Sequence, residues 1–302
     1  MRTPRTIAVV AHQRKTLGGG LDELRRRITD AGVKKLLWYE VPTSRKAPKQ
    51  VRKAVRAGVD LLVVWGGDGI VQRSLDVLAR QKGGSKIPLA VIPAGTGNLL
   101  ATNLGVPHDL EQAVDVALHG RRHRIDLGCL DGEYFGVMAG VGFDGAMIND
   151  AGRKLKDRLG KLAYVWSGLR HIDGEPATAR IMVDGQKWFD DEASCVLIGN
   201  VGKITGGIQA FDDARPDDGW LDVGVATAQG AVQWARALGT MAVGHSDHSP
   251  FIRTTRARRI DVKLKSKMRY ELDGGARTKT RRLSATVVPR AVKICVPRQL
   301  AS

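Results

Sequence analysis

Apolar and polar residues alternate along the first part of the chain in a way that predicts strands and helices in turn. Short apolar runs such as Leu61–Trp65 predict buried strands, whereas apolar residues spaced as Leu21, Leu24 and Ile28 predict an amphipathic helix. Strands that alternate with helices are joined by right-handed crossovers, so this pattern predicts an open, mostly parallel α/β sheet. We assign it to an N-terminal domain of residues 1–123.

The remaining residues, 124–302, show short stretches of period-two alternation instead. Asp-Gly pairs that begin at Asp131, Asp184 and Asp273 are typical of the tight turns of β-hairpins. Two helical segments interrupt the strands, one of them at Arg153–Ile172. The second part therefore predicts a mainly antiparallel, β-rich domain, whose final strand is a candidate to pack back on the first domain.

The bulk composition excludes several classes of protein. Hydrophobic residues make up 43% and charged residues 26% of the chain, which is ordinary for a soluble globular protein. There is no run of about 18 or more apolar residues and no signal-peptide pattern, so we expect a cytoplasmic location. Cys129, Cys195 and Cys295 are widely spaced, which argues against a zinc site or a disulfide framework.

The net charge of +17 is concentrated near the end of the chain, where residues 251–302 contain 15 Lys and Arg but only 3 acids. Such a surface suits an anionic membrane, where the protein would associate peripherally, although a solvated basic face is the alternative. Aromatic residues are only 5% of the chain and no base-stacking pattern accompanies the charge, so we do not expect nucleic acid as a partner. The candidates to present charge on one side of a sheet are Arg253, Arg256, Arg258, Arg259, Lys263, Lys265, Lys267 and Arg269.

A glycine-rich loop, GGDG at Gly66–Gly69, follows a buried strand and precedes an amphipathic segment. Glycines allow a phosphate to approach backbone N–H groups, and a helix N-terminus favours an anion. A carboxylate here would repel phosphate unless a metal ion or a substrate hydroxyl lies between them. Asp68 is therefore a candidate magnesium-linked group or base for an attacking hydroxyl, with a tight turn and a helix cap as the alternative.

A second loop, GTGN at Gly95–Asn98, follows the next apolar run. The carboxyl ends of neighbouring parallel strands meet in one crevice, which is where open α/β sheets bind ligands. Neither loop has the Walker A spacing, and the second lacks the Rossmann spacing.

The two loops in this order, GGDG and then PAGTGN-x-x-A, resemble the diacylglycerol kinase catalytic domain, a superfamily that includes bacterial lipid kinases and sphingosine kinases. The stretches IDLG at Ile125, ARPDDGWLDV at Ala214 and YELDGG at Tyr270 extend the resemblance over nearly the whole chain. The resemblance implies a kinase that uses ATP and Mg²⁺ to phosphorylate a lipid hydroxyl.

The resemblance also implies roles for individual residues. It places a magnesium ion at the Asp218 side chain and the main-chain carbonyls of Arg215 and Trp220, although a turn that opens a strand also explains this stretch. It gives Asp68 and Asp273 as catalytic carboxylates. The implied ATP-binding residues are Thr43, Gly66, Gly67, Asp68, Gly69, Ile70, Val71, Gln72, Gly95, Thr96, Gly97 and Asn98.

The chain departs from the family pattern at two of these places. Ile70 stands where GGDGT is usual, which removes a hydroxyl from the loop. Gly275 stands where bacterial lipid kinases typically carry the Glu to which the general-base role is assigned. Three accounts stay open: Asp68 is the base, Asp273 acts through a water, or the protein binds without catalysis. A general base contributes typically about 10²–10⁴-fold, so its loss would slow a kinase without abolishing it.

We therefore predict a two-domain ATP-dependent lipid kinase with a diacylglycerol-like or sphingoid-like substrate, and the sequence is compatible with a homodimer. The alternatives are a catalytically weakened lipid- or nucleotide-binding homologue and a soluble small-molecule kinase of the NAD kinase type.

Overall fold

The computed structural model describes residues 4–142, 177–204, 209–242 and 249–298. The helix predicted at Arg153–Ile172 lies outside the described residues. The chain divides into two compact units, residues 1–127 with 289–302 and residues 128–288. Among the helices in the described ranges, none is both long enough and apolar enough to cross a bilayer.

Strands and helices alternate through the first unit, as the hydrophobic pattern predicts. Its elements are β1 (Thr6–His12), α1 (Gly20–Asp30), β2 (Lys35–Val41), α2 (Ala47–Arg56), β3 (Leu61–Gly66), α3 (Asp68–Arg80), β4 (Leu89–Pro93), α4 (Leu99–Asn103) and α5 (Leu110–His119). The strands pair in parallel in the order β2-β1-β3-β4. Every residue of β3 is buried, because helices cover both faces of a parallel sheet. The predicted parallel α/β domain is confirmed.

The chain continues through strands and a single described helix. These elements are β5 (Arg121–Leu130), β6 (Glu133–Phe135), β7 (Met138–Val141), β8 (Ala177–Val183), β9 (Gln186–Ala193), β10 (Cys195–Gly199), β11 (Leu221–Ala226), α6 (Gly230–Ala242), β12 (Ile252–Ala257), β13 (Arg259–Leu272) and β14 (Gly275–Val296). The last residues of β14 belong to the first unit, where Ile294 lies opposite Leu89 of β4 in parallel.

The strands of the second unit pair in antiparallel fashion, in the order β12-β11-β10-β7-β13-β14. In addition, β8 pairs with β13, and β9 pairs with β8. Alternate residues of these strands, such as Ile181, Val223 and Ile260, face a common apolar core. The predicted antiparallel character of this domain is confirmed.

The three Asp-Gly pairs form hairpin turns, as predicted. The φ angles are +46° and +87° at Asp131 and Gly132, +48° and +85° at the pair that begins at Asp184, and +47° and +72° at the pair that begins at Asp273. Positive φ at both central residues defines the type I′ turn, which matches the twist of the strands that it joins. The turn at Asp273 therefore fixes the register in which β13 meets β14.

One predicted strand is wrong. The residue pattern of Lys187–Asn200 predicts one continuous strand, but the structure breaks it at Ser194 into β9 and β10. The Ser194 N–H donates to the carbonyl of Ala226 at 2.8 Å, and its hydroxyl donates to the carbonyl of Ala228 at 2.6 Å. These bonds turn the backbone, so the strands on either side of Ser194 pair with different neighbours.

Candidate active site

The GGDG and GTGN loops meet at the carboxyl ends of β3 and β4 in the first unit. Their backbones touch: a Cβ added at Gly95 would lie 2.9 Å from the nitrogen of Gly67, and closer still to its Cα. Gly66 has φ +152°, and a Cβ there would lie 2.6 Å from Cγ2 of Ile70. The close approach of the two loops therefore requires glycine at Gly95, and the side chain of Ile70 requires it at Gly66.

Asp68 joins the two loops. It is the first residue of α3, and its Oδ1 accepts a hydrogen bond from the N–H of Leu99, the first residue of α4, at 2.6 Å. A Cβ at Gly97 would lie 2.8 Å from its other oxygen, Oδ2. Burial raises the pKa of Asp68 above its ordinary value, and backbone N–H groups, that of Leu99 first, oppose this shift. The result is a half-buried carboxylate of increased basicity at the edge of the sheet.

Asn98 shapes the second loop from within. Its Oδ1 accepts from the N–H of Gly95 at 2.9 Å, and its Nδ2 donates to the carbonyls of Pro93 at 3.0 Å and Gly95 at 2.9 Å. Asn98 has φ +50°, a conformation that asparagine tolerates better than most residues. The side chain of this predicted ATP-binding residue is therefore engaged with its own loop.

Two further predicted segments lie beside the GGDG loop. Thr43 is exposed and precedes a 3₁₀ turn at Ser44–Lys46. This turn lies close to the GGDG loop, because a Cβ at Gly69 would lie 3.6 Å from Oγ of Ser44. At the end of β1, the Cβ of His12 would lie 3.4 Å from a Cβ at Gly66. The first unit thus brings the ends of β1, β3 and β4 and the turn after β2 to one place.

The predicted ATP-binding residues differ in what they can offer a ligand. Gly69 and Thr96 are exposed, one on each loop. The side chains of Ile70, Val71 and Gln72 are buried on the inner face of α3, so these residues could contribute only main-chain groups. Asp68 and Gly69 begin α3. The first N–H groups of a helix have no acceptor within the helix, so these two are suited to donate hydrogen bonds to a bound anion.

Asp273 has a different environment, in the second unit. Only 4% of it is exposed, and its carboxylate accepts from three consecutive backbone N–H groups. Oδ2 accepts from Gly136 at 2.8 Å, and Oδ1 accepts from Val137 and Met138 at 2.9 Å each. Asn200 holds the same segment by donating from Nδ2 to the carbonyl of Gly136 at 3.1 Å. The observed bonds thus give Asp273 a positioning role for residues 136–138, a role that sequence reasoning did not identify.

The turn that follows Asp273 carries an ion pair that the sequence did not reveal. Arg277 donates from Nε to Oε2 of Glu133 at 2.9 Å and from Nη2 to Oε1 of the same carboxylate. Its Nη1 donates to the carbonyl of Gly275 at 2.8 Å and would lie 2.7 Å from a Cβ at Gly275. A guanidinium therefore lies directly over the glycine that replaces the family's glutamate.

Asp218, the predicted metal ligand, accepts from one backbone N–H and pairs with one charged side chain. Its Oδ1 accepts from the N–H of Trp220 at 3.0 Å, and its Oδ2 forms an ion pair with Arg256. Arg256 Nε also lies 3.5 Å from Oδ1 of Asp222, a buried acid on β11. Burial raises the pKa of Asp222 to about 6, Arg256 opposes the shift, and Asp218 and Asp213 add to it. Sequence reasoning did not identify Asp222, and the signal that could have done so is an acid within the apolar strand GWLDVGV.

These residues suit a magnesium ion by the chemistry of their donors. Mg²⁺ prefers oxygen ligands and is commonly held by one or two carboxylates. Here the carboxylates of Asp218 and Asp222 both lie within ion-pair distance of Arg256. No group of three or more His, Cys, Asp or Glu side chains able to hold a metal occurs in the described ranges. A site of one carboxylate and main-chain carbonyls is of a different kind, and the magnesium assignment stays a prediction.

Comparison with known proteins decides the family. Residues 14–130 match the diacylglycerol kinase catalytic domain, and residues 136–296 match the YegS C-terminal NAD kinase beta sandwich-like domain. A diacylglycerol kinase from Mycobacterium tuberculosis is 31% identical over 252 residues, which cover 81% of this chain and 79% of the relative. The chain belongs to the diacylglycerol kinase family. Kinase and phosphotransferase character follows from this membership.

Two other comparisons agree with this family. A Pseudomonas aeruginosa protein named "Probable lipid kinase YegS-like" is 34% identical over 255 residues, 83% of this chain and 81% of the relative. The crystal structure of a diacylglycerol kinase from Bacillus anthracis superposes with a TM-score of 0.77 at 20% identity, over 100% of both chains. The structural likeness supports the fold of a diacylglycerol kinase family member, an α/β catalytic domain followed by a β-sandwich-like domain.

Proposed function

We propose that this protein transfers the γ-phosphoryl group of ATP to the hydroxyl of a membrane lipid, diacylglycerol-like or sphingoid-like. The observation that carries the proposal is the junction of the two glycine loops at Asp68, where exposed backbone at Gly69 and Thr96 flanks a carboxylate of raised basicity. Backbone N–H groups in glycine-rich loops can bind the phosphates of a donor, and a carboxylate beside them can take the proton of an acceptor hydroxyl in the same crevice.

In this proposal the triphosphate lies against the start of α3, where the N–H groups of Asp68 and Gly69 donate to its oxygens. Asp68 takes the proton of the lipid hydroxyl as the oxygen forms its bond to the γ-phosphorus. The bond between that phosphorus and the bridging oxygen breaks, and ADP leaves. Asp218 with the carbonyls of Arg215 and Trp220 would hold Mg²⁺, and the chemistry that this ion supplies in phosphoryl transfer is charge neutralisation.

Asp68 is a better candidate for the base than Asp273. Both oxygens of the Asp273 carboxylate accept backbone N–H groups, three in all, so this side chain is engaged in holding residues 136–138. Asp68 is half-buried, and burial raises the pKa of its carboxyl above the ordinary value although backbone N–H groups, that of Leu99 first, oppose the shift. Because the ionised form is required, the rate should fall as the pH falls through the raised pKa of Asp68.

The test is phosphoryl transfer from γ-labelled ATP to an extracted lipid mixture, with wild type compared with Asp68→Asn. Asparagine keeps a carbonyl oxygen for the Leu99 N–H, so the substitution removes the charge and leaves the loop junction in place. We expect a loss of about 10²–10⁴-fold in kcat. The matched control is Asp109→Asn, which changes the N-cap of α5 in the same unit to an equally good cap and should keep full activity.

A second candidate function is binding without catalysis, and it is favoured by the guanidinium of Arg277 over Gly275. It predicts that wild type binds ATP but transfers no label to any lipid. Equal label transfer by wild type and Asp68→Asn would instead show that another group takes the proton.

A further inference from the structure

The second unit carries a cluster of exposed basic side chains on β13 and β14. We call it the basic ribbon and define it as Lys263, Lys265, Lys267, Arg269, Lys279, Arg281 and Arg282. Within the described residues, none of these seven side chains forms an ion pair with an acid. Seven cations on two adjacent strands are therefore left facing solvent.

The basic residues just before the ribbon are occupied by partners within the protein. Arg256 pairs with Asp218, and Arg259 pairs with Asp261 at 2.8 Å. The Arg258 guanidinium lies 4.7 Å from the centre of the Trp220 ring. Arg256, Arg258 and Arg259 are thus engaged within the protein, whereas the seven residues of the ribbon have no acidic partner in the described part of the chain.

The strand register places like charges directly opposite each other. Lys263 lies opposite Arg282, and Arg269 lies opposite Lys279. Like charges in such cross-strand pairs destabilise a sheet, so the arrangement gains nothing for folding. It does concentrate positive charge along these two adjacent strands, and an extended anionic surface attracts such charge.

A bulge spreads the ribbon between these two pairs. The register shifts between Lys263 and Met268, where four residues of β13 stand against one residue of β14. Lys265, Ser266 and Lys267 are all exposed in this bulge. A bulge bends and twists the strand, so successive lysines need not alternate between the two faces.

We propose that the basic ribbon docks the protein on an anionic lipid bilayer. The inference rests on the proposed function, since the acceptor lipid must be reached in its membrane, and on charge complementarity with acidic headgroups. No aromatic residue is among the exposed residues of β13 and β14, so the ribbon offers no platform for stacking bases. It also offers no large apolar side chain to insert, so docking should be electrostatic and sensitive to salt.

The test is sedimentation of the full chain with vesicles of phosphatidylcholine alone or with a third phosphatidylglycerol. The test variant is Lys263→Gln, Lys265→Gln and Lys267→Gln together. The control removes the same charge from exposed lysines of the first unit, through Lys34→Gln, Lys49→Gln and Lys82→Gln. We expect each ribbon lysine to contribute about fivefold to partitioning, so the test variant should bind about 100-fold more weakly and the control near wild type.

Several outcomes would overturn the proposal. These are equal binding by the two triple variants, equal binding of wild type to neutral and anionic vesicles, and ribbon-dependent binding of DNA without binding of vesicles. Thermal unfolding of both variants verifies that the fold is kept.

Phosphorylation of a short-chain, water-soluble diacylglycerol separates this proposal from the proposed function. If docking is correct, the test variant keeps its rate on the soluble lipid and loses it on anionic vesicles. If wild type phosphorylates no lipid but its vesicle binding still depends on the ribbon, docking stands and the proposed function fails. Equal loss of both rates in the test variant would count against docking.

Discussion

Gly95→Ala should separate the two glycine loops and so test whether their contact builds the site. The added Cβ would lie 2.6 Å from Oδ1 of Asn98 and 2.9 Å from the nitrogen of Gly67. Ordinary contact begins at 3.4 Å, so Oδ1 must move by at least 0.8 Å. Asn98 cannot swing aside freely, because it is bonded to Pro93 and to both polar groups of residue 95.

The expected magnitude follows from this crowding. Overpacking of a well-packed site costs about 1–3 kcal/mol, which corresponds to a fall in Tm of about 3–10 °C for a unit of this size. Displacement of a catalytic group by about 1 Å can reduce a rate by roughly 100-fold. Because the N–H that holds Asp68 belongs to Leu99, directly after the GTGN loop, we expect both losses together.

The assays are thermal unfolding, ATP binding by calorimetry and label transfer to lipid, with Gly69→Ala as the matched variant. A Cβ at Gly69 would lie in ordinary contact, 3.6 Å from Oγ of Ser44, at an exposed position in the first turn of α3. Alanine there should leave Tm unchanged or raise it, because alanine favours helix over glycine. Its effect on ATP binding reports whether phosphate approaches this backbone.

The reasoning is refuted if Gly95→Ala unfolds at the wild-type temperature and binds ATP equally well. That result would mean that the loops separate without cost. A large fall in Tm for Gly69→Ala would be equally damaging, because the space around that residue accommodates a methyl group.

Two other predictions address the second unit. Asp273→Asn should lower the free energy of unfolding, measured by urea denaturation, by about 2–4 kcal/mol. The reason is that the amide NH₂ would face a buried backbone N–H that now donates to the carboxylate. Loss of kinase activity at unchanged stability would instead support Asp273 as the base. Asp222, whose pKa is raised to about 6, favours folding when it is protonated, so its contribution to the free energy of unfolding is full below its unfolded value of 3.8 and is lost as the pH rises through about 6. Asp222→Asn should flatten this part of the pH dependence of Tm, and an unchanged pH profile in the variant would count against the raised pKa of Asp222. Added Mg²⁺ should lower the pKa of the Asp222 carboxyl measured by carbon-13 NMR, and no effect of Mg²⁺ would count against the predicted magnesium site.

The features that could be predicted from the sequence are those set by neighbouring residues. The hairpins are encoded by Asp-Gly pairs, because aspartate and glycine tolerate the positive φ of the turn. The helices of the first unit follow from apolar spacing, and the glycine loops follow from the strands that they end. Ser194 escaped prediction because its break depends on carbonyls more than 30 residues away on β11 and the loop that follows it.

The contacts that define the site are long-range and could not be predicted. The bond from Leu99 to Asp68 spans 31 residues, and the pair of Arg277 with Glu133 spans 144. Which side chains meet across such separations depends on strand register, and a slip of one residue reverses every side chain on a strand. The sequence therefore named Asp68 and Asp273 together, whereas the structure shows one joining two loops and the other holding a segment of backbone.

The contacts of Arg277 explain why a glycine fits at position 275. A glutamate there would place its Cβ 2.7 Å from Nη1 of Arg277, so the guanidinium would have to leave the position in which it donates to the carbonyl of residue 275. If Arg277 stayed nearby, it would pair with the new carboxylate and hold its pKa low, which makes a poor base. A glutamate placed at 275 alone is therefore not expected to act as a base, because the ion pair of Arg277 with Glu133 occupies that environment. We therefore keep Asp68 as the proposed base, because burial raises the pKa of its carboxyl above the ordinary value.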